Sequence, residues 1–102
     1  MRNVKLALLQ MRGNASRDVN VQRTIEQIEA AADAGAQIVC LQELFTGPYP
    51  AQAEDHRIFA WAESIPGPTT QQMAEVAKRR QIVIVVPLFE RRAPGLYHNT
   101  VV

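Results

Sequence analysis

A glutamate stands directly after an apolar run, in a position where a carboxylate could take part in chemistry. The run extends from Ile38 to Leu41, and Gln42 and Glu43 follow it. Such a run is typical of a buried strand, and open α/β sheets bind ligands just beyond the carboxyl ends of their strands. A carboxylate there can accept and return a proton. We therefore predict that Glu43 is catalytic. The alternative is a strand-end glutamate that is simply solvated or caps the next turn.

Cys40 is the only cysteine and lies three residues before Glu43. If the strand persists through Glu43, the two side chains point to opposite faces and their Cα atoms lie about 10 Å apart. That separation is too large for proton transfer, so we predict that Cys40 is a buried strand residue. A single cysteine allows no internal disulfide, and a reducing cytoplasm is therefore the default compartment.

Nothing in the spacing of polar residues predicts a metal or a cofactor. His98 stands in a strand-like segment, and no paired histidine, cysteine or carboxylate spacing would complete a coordination shell around it. A phosphate-binding role for the basic run 78–80 would need a glycine-rich strand-to-helix turn, which the sequence lacks. We predict no metal and no cofactor.

Alternating strand and helix patterns predict an α/β fold. Nearly continuous aliphatic runs at 4–10, 38–41 and 82–86 are typical of strands that are covered on both faces. Two segments with helical spacing of apolar residues lie between these runs. This order predicts two β-α-β units with right-handed crossovers and parallel strands.

The first helical segment has a recognisable start and stop. Ser16 or Asp18 is the expected N-cap, and Gly35 is the expected stop signal. The apolar residues that fall at helical spacing between them are Val21, Ile25, Ile28 and Ala32.

The second helical segment begins with a possible capping box at residues 69–72 and ends in the basic run 78–80. The basic run complements the dipole at the carboxyl end of the helix. The residues expected to face inward are Met73, Val76 and Ala77.

A short loop follows the third strand. Only residues 91–95 and their neighbours separate Phe89 from a last apolar segment at 97–102. This loop is too short for a parallel crossover, so we predict an antiparallel fourth strand and a mixed sheet. Because the chain stops within that strand, we expect Val102 to be a truncation point.

Composition is that of an ordinary globular domain. The chain has 102 residues, of which 47% are hydrophobic and 21% charged, and its formal net charge is +1. The charges are spread along the chain, so neither nucleic acid nor a membrane surface is implied as a partner, and no segment is long and apolar enough to span a bilayer. We expect a small-molecule partner.

Four segments of the chain resemble the carbon-nitrogen hydrolase (nitrilase) superfamily. They are residues 4–11, 35–45, 65–70 and 95–100, and residues 48–49 and 54–56 between them also fit the pattern. Within that superfamily the branch that the chain resembles is that of the N-carbamoylputrescine amidases. The order of the segments is the family's, and one departure is Gln42, where the family usually has proline.

The resemblance implies a four-layer α-β-β-α sandwich of which residues 1–102 form the N-terminal portion of a single domain. It also implies a catalytic triad of glutamate, lysine and cysteine. Glu43 matches the glutamate, the general base that takes the proton from the thiol and returns it to the leaving amine. The lysine and cysteine have no matching positions and are expected beyond Val102. The complete protein would be an amidase that forms a homo-oligomer, and this portion alone would be inactive.

The loop after Glu43 helps to wall the substrate pocket in the resembling family. It contains Tyr49, Asp55 and His56, and a polyamine-like substrate would favour an acidic or aromatic contact. We predict these three residues as substrate-binding; the alternative is that they are ordinary surface residues. Trp61 is most simply a packing anchor near this loop.

Two classes of function remain open from the sequence. In the first, the complete protein hydrolyses a linear amide or N-carbamoyl compound, with N-carbamoylputrescine preferred and a β-ureidopropionase or another amidase as the alternative. In the second, the short chain is a non-catalytic module that binds a partner through its open sheet edge.

Overall fold

The computed structural model describes residues 2–13, 16–48 and 56–102. Five strands, two α-helices and a short 3-10 helix make up the described chain. In chain order they are β1 (Leu6–Leu8), α1 (Arg17–Asp33), β2 (Ile38–Cys40), the 3-10 helix (His56–Trp61), α2 (Pro68–Arg80), β3 (Val83–Val85), β4 (Pro87–Ala93) and β5 (Leu96–Val101). The strands are shorter than the apolar runs that predicted them.

The first three strands form a parallel sheet in the order β1-β2-β3, so β2 is central. Its register places Ala7, Val39 and Ile84 side by side. Strands β4 and β5 pair antiparallel in a second ladder, and the backbone groups of Val86 and Val102 extend that ladder with bonds of 2.8 and 2.9 Å. Parallel and antiparallel strands therefore occur together, as predicted. Only Val86 separates β3 from β4, so the hairpin continues from the carboxyl end of the sheet.

Helix α1 begins where its sequence signals predict. Ser16 is the N-cap, and its hydroxyl accepts a hydrogen bond from the backbone N–H of Val19. The helix ends at Asp33, and Gly35 follows with a positive φ of 92°. A residue with a Cβ would be strained in that conformation, which explains why glycine ends the helix there.

Helix α2 begins earlier than the proposed capping box at 69–72. Gly67 is its N-cap, Pro68 occupies the first helical position, and the Thr70 hydroxyl accepts a hydrogen bond from the Gly67 N–H at 2.7 Å. Proline suits that position because its fixed φ is helical. It lacks a backbone N–H, but an N–H in the first turn would have no acceptor within the helix. The stronger start signal was therefore Pro68.

The two faces of the parallel sheet differ in cover. Val39 is fully buried beneath the helices, where it joins a core that also contains Ile28, Phe45, Met73, Val76 and Leu88. On the opposite face Leu6, Leu8 and Val83 are 54%, 74% and 57% exposed. The described chain thus supplies helices for one side of its sheet only.

The basic run at the end of α2 pairs with α1. Arg80 donates to Glu29 at 2.7 Å and to Asp33 at 2.5 Å, and Arg79 also donates to Glu29. The hydrogen bond with Asp33 raises the pKa of the Arg80 guanidinium above its ordinary value. The run was predicted to complement the helix dipole, and the structure shows in addition that it fastens the two helices together.

No helix within residues 2–13, 16–48 and 56–102 combines the length and the apolar character needed to cross a membrane.

Candidate active site at the carboxyl edge of the sheet

Glu43 lies just beyond the carboxyl end of the central strand. Strand β2 ends at Cys40, and Glu43 stands in the turn that follows, with its side chain exposed. Leu44 has a positive φ of 52° and is buried, so the backbone turns sharply there and returns to the core. This turn presents the carboxylate at the edge where α/β sheets bind their ligands.

The backbone on both sides of Glu43 is anchored. The side-chain oxygen of Gln42 accepts a hydrogen bond from the backbone N–H of Met11 at 2.6 Å. Phe45 is almost fully buried, and the carbonyl of Thr46 accepts from the buried Asn20 side chain at 3.0 Å. We call residues 42–47 the corner around Glu43. These contacts fix the path of its backbone without touching the Glu43 carboxylate.

Trp61 closes the corner from the 3-10 helix. A Cβ added to Gly47 would overlap the Trp61 indole, so the ring lies directly against the Gly47 backbone. Only glycine permits this approach, because every other side chain would displace the ring. The prediction that Trp61 is a packing anchor near this loop fits that contact.

Asn99 is the residue that holds the Glu43 carboxylate. Its side-chain Nδ2 donates to Glu43 Oε1 at 2.6 Å, although the two residues are 56 positions apart. Asn99 lies on β5, directly opposite Phe89 of β4. Sequence reasoning missed this partner, because residues 95–102 predicted a strand and a family resemblance but no contact between Asn99 and Glu43.

An aromatic cluster of Phe59, Phe89 and Tyr97 lies on the same face of the hairpin as Asn99. Paired strand residues share a face, as do alternate residues of one strand, so Phe89 and Tyr97 accompany Asn99. The Phe59 ring centroid is 4.6 Å from that of Tyr97 and 5.9 Å from that of Phe89. His56 stacks on Phe59 with a centroid distance of 6.4 Å.

The three predicted substrate-binding residues have different outcomes. Tyr49 and Asp55 lie outside the described residues. His56 is exposed at the start of the 3-10 helix and contacts the aromatic cluster, while the described side chains include no hydrogen bond between it and Glu43. A role in substrate binding stays a prediction for all three.

Cys40 lies in β2 opposite Leu8 and Val85, on the sparsely covered face of the sheet. It is half-buried rather than buried, because that face has no helix over it. Strand β2 stops at Cys40, so the geometry assumed for a strand through Glu43 does not apply. The thiol forms no contact with Glu43 among the interactions of the described residues.

A second glutamate, Glu63, is buried. Its carboxylate accepts from the backbone N–H of Thr69 at 2.9 Å and from the Thr69 hydroxyl at 2.8 Å, and it pairs with Arg17 at 3.4 Å. Thr69 belongs to the first turn of α2, where the helix dipole favours an anion. Glu63 therefore joins the starts of both helices.

Glu90 lies on the face of the hairpin opposite Asn99. The Thr100 hydroxyl donates to its carboxylate at 2.7 Å, and His98 Nδ1 lies 3.8 Å from the same oxygen. His98 is thus a strand-face residue beside a carboxylate. Within the part of the chain that the structure describes, no group of three or more potential ligands could hold a metal ion.

Residues 5–102 match the family described as carbon-nitrogen hydrolase. The chain belongs to the carbon-nitrogen hydrolase family. It is 36% identical over 100 residues to the omega-amidase of Homo sapiens, covering 98% of this chain and 35% of that protein. It is 37% identical over 101 residues to the N-carbamoylputrescine amidase of Solanum lycopersicum, covering 98% of this chain and 33% of that protein. The chain thus spans about a third of the length of these curated relatives.

Solved structures confirm the fold expected for this family. A carbon-nitrogen hydrolase from Helicobacter pylori superposes with a TM-score of 0.81 at 29% identity, over 96% of this chain and 34% of its own. A Saccharomyces cerevisiae member of the nitrilase superfamily gives a TM-score of 0.78 at 26% identity, over 96% of this chain and 38% of its own. The nitrilase-like α/β fold predicted from the sequence is therefore correct.

Proposed function

We propose that the protein containing this chain hydrolyses non-peptide carbon-nitrogen bonds, with Glu43 as its general base. The observation that carries the proposal is the position of the Glu43 carboxylate, exposed at the carboxyl edge of the central strand and held by Asn99. Membership of the carbon-nitrogen hydrolase family supports this reaction class.

The preferred substrate is N-carbamoylputrescine, with putrescine, ammonia and carbon dioxide as products. Glu43 takes the proton from a cysteine thiol, and the thiolate attacks the carbonyl carbon of the carbamoyl group. A lysine stabilises the oxyanion of the tetrahedral intermediate while Glu43 returns the proton to the leaving amine. One water then cleaves the carbon–sulfur bond of the acyl-enzyme, which regenerates the thiol, and the carbamic acid released breaks down to ammonia and carbon dioxide.

The cysteine and the lysine of this triad are proposed to lie in sequence beyond Val102. The lysines within these 102 residues are Lys5 and Lys78. Lys5 donates to the Ala34 carbonyl just before β2, and Lys78 lies in the last turn of α2, shortly before β3. Both positions belong to the amino edge of the parallel sheet, whereas Glu43 lies at its carboxyl edge.

The aromatic cluster supports a substrate with a protonated amine. A cation is attracted to the faces of aromatic rings, and Phe59, Phe89 and Tyr97 lie on the hairpin face that carries Asn99. Omega-amides are the alternative substrates, favoured by the 36% identity to the omega-amidase of Homo sapiens.

Ammonia release by the longest polypeptide that contains this chain tests the proposal. N-carbamoylputrescine, an N-carbamoyl-β-amino acid and a dicarboxylic acid ω-amide are assayed in parallel. The proposal expects the highest kcat/KM for N-carbamoylputrescine. A preference for the ω-amide would keep the reaction class and change the substrate, and no ammonia from any of them would contradict the proposal.

Glu43→Gln is the variant that attributes the activity to this site. The amide cannot accept the thiol proton, so we expect kcat to fall by about 10²- to 10⁴-fold while substrate binding persists. The exposed position of Glu43 means that the fold should be unaffected, which circular dichroism can verify. Near-normal turnover in this variant would remove Glu43 from the mechanism.

The second candidate function is a non-catalytic module. Strand β1 forms one edge of the described parallel sheet, and Leu8 within it is 74% exposed, so a partner strand could pair there. Sedimentation of the isolated 102-residue chain tests this candidate. A stable, soluble monomer that binds a partner without ammonia release would favour it.

We further propose that the complete protein is a cytoplasmic homo-oligomer with a small-molecule substrate and neither nucleic acid nor membrane as partner. The free thiol of Cys40 supports a reducing compartment. Light scattering of the purified protein tests the assembly, and a monomer would contradict it.

A further inference from the structure

We infer that Asn99 is a positioning residue for the Glu43 carboxylate, a role that rests on the catalytic function proposed for Glu43. The observation is the hydrogen bond of 2.6 Å from Asn99 Nδ2 to Glu43 Oε1. An ionised carboxylate only accepts hydrogen bonds, so the amide nitrogen of Asn99, and not its oxygen, must face it.

The corner around Glu43 explains why such a residue is needed. Gln42 and Thr46 fix the backbone path on either side of it. These contacts locate the Cα atom of Glu43, but its side chain is long and exposed, so rotation about its own bonds would move the carboxylate by several ångströms. Asn99 supplies the one hydrogen bond to this carboxylate among the described residues.

Asn99 is itself held firmly. Its backbone lies within β5 and is paired with Phe89, and the ladder continues to the bonds between Val86 and Val102. A short side chain on a paired strand has little freedom, so its amide can fix the position of a more flexible partner. Holding a catalytic group in its productive geometry removes orientational entropy from the reaction.

The bond leaves part of the carboxylate available for chemistry. Asn99 engages Oε1, and no hydrogen bond to Oε2 exists within the described residues. One oxygen is therefore fixed by the hairpin while the other can accept the thiol proton. If a positioning residue donated hydrogen bonds to both carboxylate oxygens, it would obstruct transfer of the thiol proton to Glu43.

The stability of the hairpin does not depend on this side chain. The ladder consists of backbone bonds, and on the opposite face Thr100 bonds the buried Glu90. Asn99 is exposed, so its truncation opens no cavity in the core. A change in activity at Asn99 can therefore be separated from a change in folding.

Kinetics of Asn99→Ala and Asn99→Asp in the longest polypeptide that contains this chain test the inference. A hydrogen bond to a charged group corresponds to about a tenfold to hundredfold effect, and we expect that loss in kcat with KM within about twofold of the parent. Asn99→Asp keeps the side-chain shape but offers no donor and sets a like charge beside Glu43, so its kcat should fall at least as far.

His98→Ala is the matched control, because it is the adjacent residue on the opposite face of the same strand. Its kcat should equal that of the parent protein. Loss of activity in His98→Ala together with Asn99→Ala would indicate general damage to the hairpin and would overturn the inference.

Asn99→Ala is also made in the Glu43→Gln background. If Asn99 acts through Glu43, the double variant is no slower than Glu43→Gln alone. A further loss of kcat, or a parent-like kcat in both Asn99 variants, would overturn the inference. Full activity of Glu43→Gln alone would instead overturn the proposed function, so the two failures are distinguishable.

Discussion

Glu63 and Glu43 have the same side chain but differ in exposure to solvent and in hydrogen bonding. Glu63 is 7% exposed, and its carboxylate accepts two hydrogen bonds from Thr69 and pairs with Arg17. Glu43 is exposed and bonded to Asn99 through one oxygen. A carboxylate with every oxygen engaged stabilises a fold, whereas one with a free oxygen can still accept a proton. The two glutamates therefore differ both in burial and in the number of hydrogen bonds that their carboxylates accept.

The largest expected difference is in the free energy of unfolding when each glutamate is replaced by alanine. Glu63→Ala leaves the Thr69 hydroxyl and N–H without their acceptor, so we expect the free energy of unfolding to fall by about 3 kcal/mol. Glu43→Ala should change it by no more than about 0.5 kcal/mol, because its side chain is exposed. Urea denaturation measures both. Equal losses would break the comparison.

Gly47→Ala tests whether the backbone near Glu43 is tightly packed although the Glu43 side chain is exposed. The added methyl would overlap the Trp61 indole, and such overpacking typically lowers the free energy of unfolding by about 1–3 kcal/mol. Because Gly47 follows Glu43 closely, kcat should fall as well. The control is Gly13→Ala, where the nearest atom is 4.0 Å from the new methyl. Similar stability of the two variants would contradict a tightly packed corner.

Cys40→Ala tests whether the thiol of Cys40 takes part in the reaction proposed for Glu43 or serves only the packing of the sheet. We expect a loss of about 1 kcal/mol in the free energy of unfolding and unchanged activity per folded molecule. Denaturation and ammonia-release assays give the two quantities. Covalent trapping of substrate on Cys40 would overturn this assignment.

Arg80→Gln removes a partner of two carboxylates, those of Glu29 and Asp33, that form ion pairs at the surface. Glu29 and Asp33 lose a partner, but exposed pairs contribute little, so the urea midpoint should fall less than in Glu63→Ala, Gly47→Ala or Cys40→Ala. The difference should vanish at 1 M salt, where the screening length is about 3 Å. A loss that persists at high salt would show that the pairs act through packing instead.

Local sequence patterns predict which segments form helices and strands. They predict the ends of these elements less reliably. Helix α1 could be predicted because Ser16 and Gly35 mark both of its ends. The start of α2 was placed too late, because a threonine pair was weighed above Pro68. The apolar run at 4–10 predicts a strand, but the strand that pairs with β2 is limited to Leu6–Leu8. Pairing with a distant segment decides how much of an apolar run becomes strand.

The candidate site was predictable in position and not in its contacts. The position of Glu43 could be predicted because the end of β2 is a local property of residues 38–43. Asn99 could not, because its contact depends on how the hairpin folds back past the end of β3. The burial of Glu63 escaped notice for the same reason, since Arg17 and Thr69 come from two separate helices. Local patterns predict where a residue stands, and long-range pairing decides what holds it.

The separation of 56 positions between Glu43 and Asn99 has a consequence during synthesis. At ordinary translation rates Glu43 emerges from the ribosome about 3–11 s before Asn99 emerges. Throughout that interval the nascent chain can form β1, α1 and β2, yet the Glu43 carboxylate still lacks its hydrogen bond from Asn99. The Glu43 carboxylate therefore emerges early and is set in place late, when β5 pairs with β4 and brings Asn99 to it.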